Sequence, residues 1–189
     1  MMTIDDMLAK VAEITHSAPH DAAPEKQMEQ KIEEPAKKIE IKTTDINGIC
    51  VKPVLNLSLA KEIIYCVECG AKKLGINAAV SVVNPDGRLI AFEAMDNSLL
   101  ASISASQDKA YTAAALKMPT DKALEESRGG AFDGLTNGGG ILLLGGGYPL
   151  KVGDAMLGAV GVSGGTREED ITLAKLAVRY LEERIKSIG

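Results

Sequence analysis

The residues best suited to chemistry are two cysteines, Cys66 and Cys69, separated by two positions. A C-x-x-C pair is typical of zinc sites, which need about four ligands, or of redox sites at a helix N-terminus, where the thiol pKa is low. From residue 55 onwards there is no second pair and no histidine, and the apolar spacing places both cysteines in the middle of a helix. We therefore predict that both cysteines are structural.

Two glycine clusters, Gly138–Gly140 and Gly145–Gly147, stand on either side of a short apolar run. Glycine lets the backbone approach a ligand or a neighbouring strand closely, so the clusters predict either a backbone-lined pocket or tight turns. Neither G-x-G-x-x-G nor G-x-x-x-x-G-K-[S/T] occurs, so no motif supports nucleotide-phosphate binding. A further glycine pair follows Ser163. Its N–H groups could hold an anion, although Thr166 with Glu169 is equally a capping box.

Two cations could contact an anionic ligand: Lys109 on an alanine-rich helix, and Arg128 beside a glycine pair. A buried lysine can also act as a base or form a Schiff base. The alternative for Lys109 is an ion pair with Asp96, Asp108 or Asp170. The alternative for Arg128 is a solvated helix end, and the residues leave these alternatives open.

Composition divides the chain near Pro53 into a tail and one domain. Residues 1–54 contain both histidines and four of the seven prolines, whereas every aromatic residue and 18 of the 19 glycines follow. With 189 residues and a net charge of −5, the chain is too acidic for nucleic acid or an anionic membrane as its main partner. No apolar run is long enough to span a membrane. Three cysteines without a secretory signal predict a cytoplasmic protein with free thiols.

Within the tail, residues 1–16 predict a short amphipathic helix and residues 17–54 predict a flexible linker of alternating charge. The helix has one apolar face, formed by Ile4, Met7, Leu8, Val11 and Ile14. A helix this short is not stable alone in water, so it needs a surface to dock on. That surface is either its own domain or a groove in a partner protein.

The domain, residues 55–189, alternates helices with hairpins. Periodicity predicts helices over 57–74, 98–116, 121–127 and 167–188, and strands over 78–83, 88–94, 141–144 and 155–162, with a turn at 145–149. Strands joined by tight turns pair antiparallel. This order predicts an α/β protein of the α+β type, with a mostly antiparallel sheet of about five strands flanked by helices.

A series of motifs in this domain resembles the GlcG/HbpS family, which includes the C-terminal domain of PduO. The resemblance covers residues 55–188 and is carried by Lys109-Ala110, Thr112-Ala113, Thr120, Gly146–Pro149, Gly158–Gly165 and Asp170. It implies a profilin-like fold, assembly as a homo-oligomer, and binding of haem or a corrinoid-related ligand. It does not extend to the adenosyltransferase domain of PduO, so cobalamin adenosylation is not implied.

The ligand site that we predict combines the motif positions, the glycine clusters and the cations. Its residues are Lys109, Thr112, Thr120, Arg128, Gly138, Gly139, Gly146, Gly147, Pro149, Ser163 and Gly164. Both histidines, His16 and His20, lie in the tail. A haem iron would therefore need a sulfur ligand, a tyrosine or a hydroxyl, with Cys66 and Met118 as the first candidates. We predict no catalytic residue.

The tail is similar to the encapsulation peptides of bacterial microcompartment proteins, in which a short apolar-faced helix and a charged linker precede a cargo domain. This resemblance implies docking on a shell or cargo protein. We therefore expect a ligand-binding accessory protein without enzymatic activity inside a microcompartment. One alternative is an oligomeric adaptor that presents docking helices. The other is a small enzyme of the same pathway, against which stands the lack of a histidine base or a nucleophile–base pair in the domain.

A fluorescent protein fused to residues 1–43 should co-localise with microcompartment shells, because the apolar face of the predicted helix would dock there. Replacing Leu8 and Val11 by Glu should abolish co-localisation, since charges oppose burial of that face. Ala9→Glu with Ala12→Glu adds the same two charges outside the face and is the matched control. Diffuse fluorescence of the unmodified fusion in cells with shells would contradict the docking hypothesis.

Overall fold

The computed structural model describes residues 44–46, 48–137 and 139–187. The predicted docking helix, residues 1–16, and the predicted linker as far as residue 43 lie outside the described residues. In chain order the elements are β1 (Thr44–Ile46), β2 (Ile49–Val51), α1 (Leu57–Leu74), β3 (Ala79–Val83), β4 (Leu89–Ala94), α2 (Leu100–Leu116), α3 (Thr120–Glu126), a 3-10 turn (Leu135–Asn137), β5 (Gly147–Val152), β6 (Ala155–Ser163) and α4 (Arg167–Lys186). No helix in these ranges is both long enough and apolar enough to cross a membrane.

Four strands form one antiparallel sheet in the order β4-β3-β6-β5. At its centre, Val82 of β3 pairs with Ala91 of β4 on one side and with Val160 of β6 on the other. Side chains alternate between the two faces of a sheet. Helices α1 and α4 cover one face and α2 packs on the other. The predicted α+β class and antiparallel sheet are therefore confirmed. In the part of the chain described, the main sheet has four strands and β1 and β2 form a separate hairpin.

The larger core lies between the sheet and the helices α1 and α4. Helix α1 begins after Asn56, whose side chain accepts a hydrogen bond from the Leu59 N–H, and ends at Gly75 in the left-handed conformation. Helix α4 begins after Thr166, which forms the expected capping box with Glu169. These local signals explain why the sequence prediction places both helices correctly.

Both cysteines of the C-x-x-C pair lie in this core, on the buried face of α1, and neither forms a disulfide. Cys66 is completely buried and Cys69 is 6% exposed. Burial raises the pKa of the Cys66 thiol to about 12, so it remains protonated at neutral pH. The pair thus has the burial expected of structural residues.

Helix α2 lies close to the sheet because small residues face each other across the contact. Ala110 and Ala113 are completely buried, and the hydroxyls of Ser81 and Ser106 lie 2.8 Å apart. At Gly161 of β6, an added Cβ would overlap the Ser106 carbonyl oxygen. Glycine is therefore required at this point of closest approach.

The apolar run at residues 141–144, predicted as a strand, is irregular, and β5 begins at Gly147, where a turn is predicted. Both predictions are wrong. Two side chains bond the backbone of the run instead. The Leu142 N–H donates to the Thr112 hydroxyl at 2.8 Å, and the carbonyl at the end of the run accepts from the Thr120 hydroxyl at 2.6 Å. Hydroxyls of α2 and α3 thus take the place of a neighbouring strand.

Gly161→Ala should lower the free energy of unfolding by about 3 kcal/mol, because a methyl group would force α2 away from the sheet. Gly139→Ala is the control, since a Cβ there meets nothing within 4 Å, and its effect should stay below about 0.5 kcal/mol. Urea unfolding followed by circular dichroism measures both values. An unchanged unfolding midpoint for Gly161→Ala would contradict the close packing.

Candidate ligand-binding site

Lys109, the cation singled out in the sequence, is completely buried between α2, β6 and the start of α4. Its Nζ donates to Asp170 Oδ2 at 2.7 Å and to the Val162 carbonyl oxygen at 2.8 Å. Asp170 Oδ1 accepts a further hydrogen bond from the Gly165 N–H at 3.0 Å. Of the three aspartates that the sequence offers as partners, Lys109 therefore pairs with Asp170, which lies 61 positions further along the chain.

The environment acts on both charges of this ion pair. Burial lowers the pKa of the Lys109 ammonium and raises the pKa of the Asp170 carboxyl, while the attraction between them opposes both shifts. Because the two groups are 2.7 Å apart and each has a further hydrogen-bond partner, the charged pair is well satisfied. Its position inside the domain makes it a structural brace.

The glycines before β5 pack directly on this brace. Gly146 has φ +114°, and a Cβ there would lie 2.6 Å from the Val162 carbonyl oxygen and 3.2 Å from Lys109 Nζ. At Gly147, a Cβ would lie 2.6 Å from Thr120 Cγ2. Both glycines are needed for packing, and both are buried. The alternative of close strand packing therefore accounts for them without a ligand.

The two predicted threonines are completely buried, and each hydroxyl is hydrogen-bonded to the backbone of the loop before β5. Thr120 Oγ1 accepts from the Gly147 N–H at 2.9 Å and donates to the carbonyl of Leu144. The Thr112 hydroxyl, on α2, accepts from the Leu142 N–H and so binds the same loop before β5. The structure thus brings Lys109, Thr112, Thr120, Gly146 and Gly147 together, as a closed framework around the ion pair.

Gly164 lines an open cleft of about 510 Å³ at the start of α4, and Ser163 precedes it as the last residue of β6. The backbone donors here are already taken: the Gly165 N–H bonds to Asp170, and the Thr166 N–H bonds to Glu169 Oε2 at 2.7 Å. Two carboxylates occupy the positions that an anionic ligand would need. The capping-box alternative therefore describes this segment better.

The remaining predicted residues lie apart from Lys109. Arg128 and Gly139 are exposed in the segment between α3 and β5, and Pro149 is half-buried in β5, an edge strand of the sheet. Gly138 lies outside the described residues. The structure does not join these positions into one pocket with the framework.

A smaller cleft, which the sequence analysis missed, opens where α2, the β3–β4 turn and the loop before β5 meet. Its volume is about 270 Å³, slightly below the range of about 300–1,000 Å³ usual for small-molecule sites. Its lining residues are Val83, Gly87, Leu89, Gln107, Asp108, Tyr111 and Gly140. We call it the Tyr111 cleft.

Tyr111 is held between two glycines. A Cβ on Gly87, which has φ +78°, would lie 2.7 Å from Tyr111 Cδ2, and one on Gly140, with φ +83°, would lie 3.4 Å from Cε1. The ring is still 40% exposed. In the sequence, Tyr111 stands out only as an aromatic residue in an alanine- and serine-rich helix. The two glycines that contact it lie 24 and 29 positions away, so the sequence alone did not indicate the cleft.

Few described side chains could serve haem, the group that the family resemblance implies. Cys66 is in the core, which removes it as an iron ligand, and Met118 lines neither cleft. Within the described ranges no three His, Cys, Asp or Glu side chains lie close enough to hold a metal ion. The Tyr111 cleft offers haem only the phenol of Tyr111 and the apolar side chain of Leu89. Val83 is 2% exposed, and the charged residue of the lining is Asp108, whose carboxylate would repel haem propionates.

Comparisons with known proteins agree on one family. The family model described as haem degrading protein HbpS-like matches residues 55–179. A Citrobacter freundii protein, named as an uncharacterized 15.0 kDa protein in the dhaT–dhaS intergenic region, is 36% identical over 132 residues. That match covers 68% of this chain and 93% of the relative.

Corrinoid adenosyltransferase PduO of Citrobacter freundii is 29% identical over 138 residues, which are 70% of this chain but only 41% of PduO. The chain thus spans less than half the length of this relative. Among solved structures, Klebsiella pneumoniae protein ORFY matches with a TM-score of 0.69 and 30% identity over 74% of this chain and 98% of that one. A PduOC:haem complex matches with a TM-score of 0.63 and 29% identity over 67% and 94%.

Lys109→Met should lower the free energy of unfolding by about 3–5 kcal/mol, because Asp170 is then buried without its partner. Asp170→Leu should have a similar effect, and the double variant should lose less than the sum of the two. Urea unfolding of all three variants measures the coupling.

The control is Lys52→Met, which breaks the ion pair between Lys52 and Asp86. The side chains of these two residues are 51% and 56% exposed, respectively. Its effect should stay below about 1 kcal/mol. Strictly additive losses at Lys109 and Asp170 would show that the two groups are not coupled.

Proposed function

Because the chain belongs to the HbpS-like family, we propose that its domain from residue 55 onwards binds a tetrapyrrole without catalysing a reaction. Haem is the ligand that we favour. The observation that carries the proposal is the similarity to the PduOC:haem complex, which extends over 94% of that chain at 29% identity.

The Tyr111 cleft is the surface that we assign to the ligand. Leu89 offers apolar contact, and the Tyr111 ring, which fills the space beside Gly87 and Gly140, offers an aromatic one. Leu89 is 52% exposed, so part of this apolar surface is open to solvent. Bound haem would supply an iron centre whose properties depend on its axial ligand.

A corrinoid is the second candidate ligand. The name of PduO, a corrinoid adenosyltransferase, supports it. The match covers 41% of PduO, so the proposal is limited to binding and does not include adenosyl transfer.

The role that we propose is that of an accessory protein in the cytoplasm, inside a bacterial microcompartment. The amphipathic pattern of residues 1–16 supports docking on a shell or cargo protein. We also propose self-association into a homo-oligomer. Leu99 and Leu100, which are 66% and 84% exposed at the start of α2, support such an interface.

Titration of the full chain with hemin should give a saturable change in the Soret band, with a Kd on the order of 1 μM. Hemin at about 100 times the Kd should raise the free energy of unfolding by about 2.7 kcal/mol. Leu89→Asp should weaken binding about tenfold, because it places a charge on the apolar wall. Hydroxocobalamin, titrated in parallel, tests the corrinoid candidate.

Leu57→Asp is the matched control, because Leu57 is also 52% exposed but lies at the start of α1, outside the cleft. It should bind hemin as the unmodified chain does. If neither hemin nor hydroxocobalamin changes the spectrum or the unfolding midpoint, the proposed function is wrong. If both leucine variants bind equally well, the ligand lies elsewhere on the domain.

A further inference from the structure

We infer that the exposed face of α2 pairs with the same face of a second copy of this chain, the two helices running antiparallel about a two-fold axis near Ser104. The pairing rests on the proposed function, because it names the surface of the proposed self-association. It goes further in two respects: it assigns the residues that meet, and it makes pairing and ligand binding at the Tyr111 cleft mutually exclusive.

The outer face of α2 has few charges for a helix that covers a sheet. Residues 100, 104, 108, 111 and 115 follow one another at intervals of three or four positions, so they form one stripe along the helix. All five are exposed. Within α2, all of which the structure describes, Asp108 is the exposed charged residue, since the other charged residue, Lys109, is buried. A solvated helix normally carries charged and polar residues along this face.

Large exposed side chains lie at both ends of the stripe. At one end Leu100 is 84% exposed, and Leu99 beside it is 66% exposed. At the other end Tyr111 is 40% exposed, and Leu89 lines the cleft next to it. Such a concentration of exposed apolar surface marks a contact site on a soluble protein.

The sizes of the side chains make this face self-complementary. Ser104, which is small, lies between Leu100 and Tyr111, so a second helix can approach closely in the middle. Antiparallel pairing exchanges the two ends of the stripe. Leu100 of each copy then packs on Tyr111 of the other, and the two-fold axis makes this contact twice.

Charge also favours a second copy in antiparallel orientation. The N-terminus of a helix carries a partial positive charge. In α2 the N-cap is Leu99, which forms no side-chain capping hydrogen bond, and the first turn contains no acidic residue. Asp108 lies about two turns further along the exposed side. In the antiparallel pair it faces the first turn of the other helix, so each copy supplies the negative charge that the other lacks.

Pairing and ligand binding compete for the same surface. The Tyr111 cleft has a volume of about 270 Å³ and offers Leu89 and the ring of Tyr111 as apolar surface, which suits a single leucine side chain. Leu100 of the second copy would cover this cleft. The second copy and the ligand therefore cannot occupy it together, and each lowers the affinity for the other.

Sedimentation velocity of the full chain tests the pairing. The unmodified chain should sediment as a dimer or a larger even assembly. Leu100→Glu should halve the assembly, because it places a carboxylate against Tyr111 of the second copy. Leu57→Glu is the matched control: Leu57 is 52% exposed but lies at the start of α1, and the variant should keep the assembly. Circular dichroism verifies the fold, and an acidic residue in the first turn of α2 suits the helix dipole. A monomeric unmodified chain, or an unchanged assembly in Leu100→Glu, would overturn the interface.

Disulfide cross-linking tests the position of the axis. In a chain whose exposed Cys50 is replaced by Ser, Ser104→Cys should give a covalent dimer on mild oxidation, because the two thiols meet near the axis. Ala115→Cys is on the same exposed face, but in the antiparallel pair its counterpart lies about 30 Å away, so it should not cross-link. Equal cross-linking at both positions would indicate parallel helices and overturn the inference, as would no cross-linking at Ser104→Cys.

Hemin tests the competition. At saturation it should shift the unmodified chain towards the smaller species, and Leu100→Glu should bind hemin more tightly than the unmodified chain does. An assembly that stays intact in saturating hemin would overturn the mutual exclusion. A chain that pairs but binds neither hemin nor hydroxocobalamin would reject the proposed ligand, whereas a chain that binds hemin as a monomer would reject the interface. The two failures are therefore distinguishable.

Discussion

The buried ion pair between Lys109 and Asp170 joins α2 to the first turn of α4, and its hydrogen bond to Val162 includes β6. Two charges removed from water are stable only if they meet at short distance and if their remaining hydrogen-bonding capacity is used. The surrounding backbone must therefore come close. Glycine at 146 and at 161 makes this approach possible, because a Cβ at either position would collide with a neighbouring carbonyl oxygen.

The close packing around the ion pair also fixes the position of the Tyr111 cleft. Lys109 and Tyr111 are two residues apart on α2, about 200° around the helix, so one points into the domain while the other lines a cleft. Most of the residues that carry the resemblance to the family therefore hold the helices, strands and loops of the domain together. The surface proposed to hold a ligand lies on the opposite side of the same helix, and its position depends on that framework. Thr112 adds to this arrangement, because it fixes the loop that carries Gly140 towards Tyr111.

The proposed haem binding would have to use residues other than histidine in the domain, because both histidines precede residue 55. The similarity to the PduOC:haem complex supports the proposal of haem as the ligand but does not identify the iron ligand in this chain. In the Tyr111 cleft the candidate donor is a phenol, and the charged residue of the lining is the carboxylate of Asp108.

Local sequence determined the elements with strong local signals. The apolar stripe of residues 57–74, the capping box of Thr166 and Glu169 and the antiparallel pairing across the turn before Arg88 all depend on near neighbours in the chain. The run at 141–144 was misassigned because its hydrogen-bond partners are hydroxyls 24 and 30 positions away. Only the tertiary structure selected Asp170 for Lys109 and brought two glycines to Tyr111. Such contacts depend on how helices and strands pack, and periodicity along the chain carries no information about that packing.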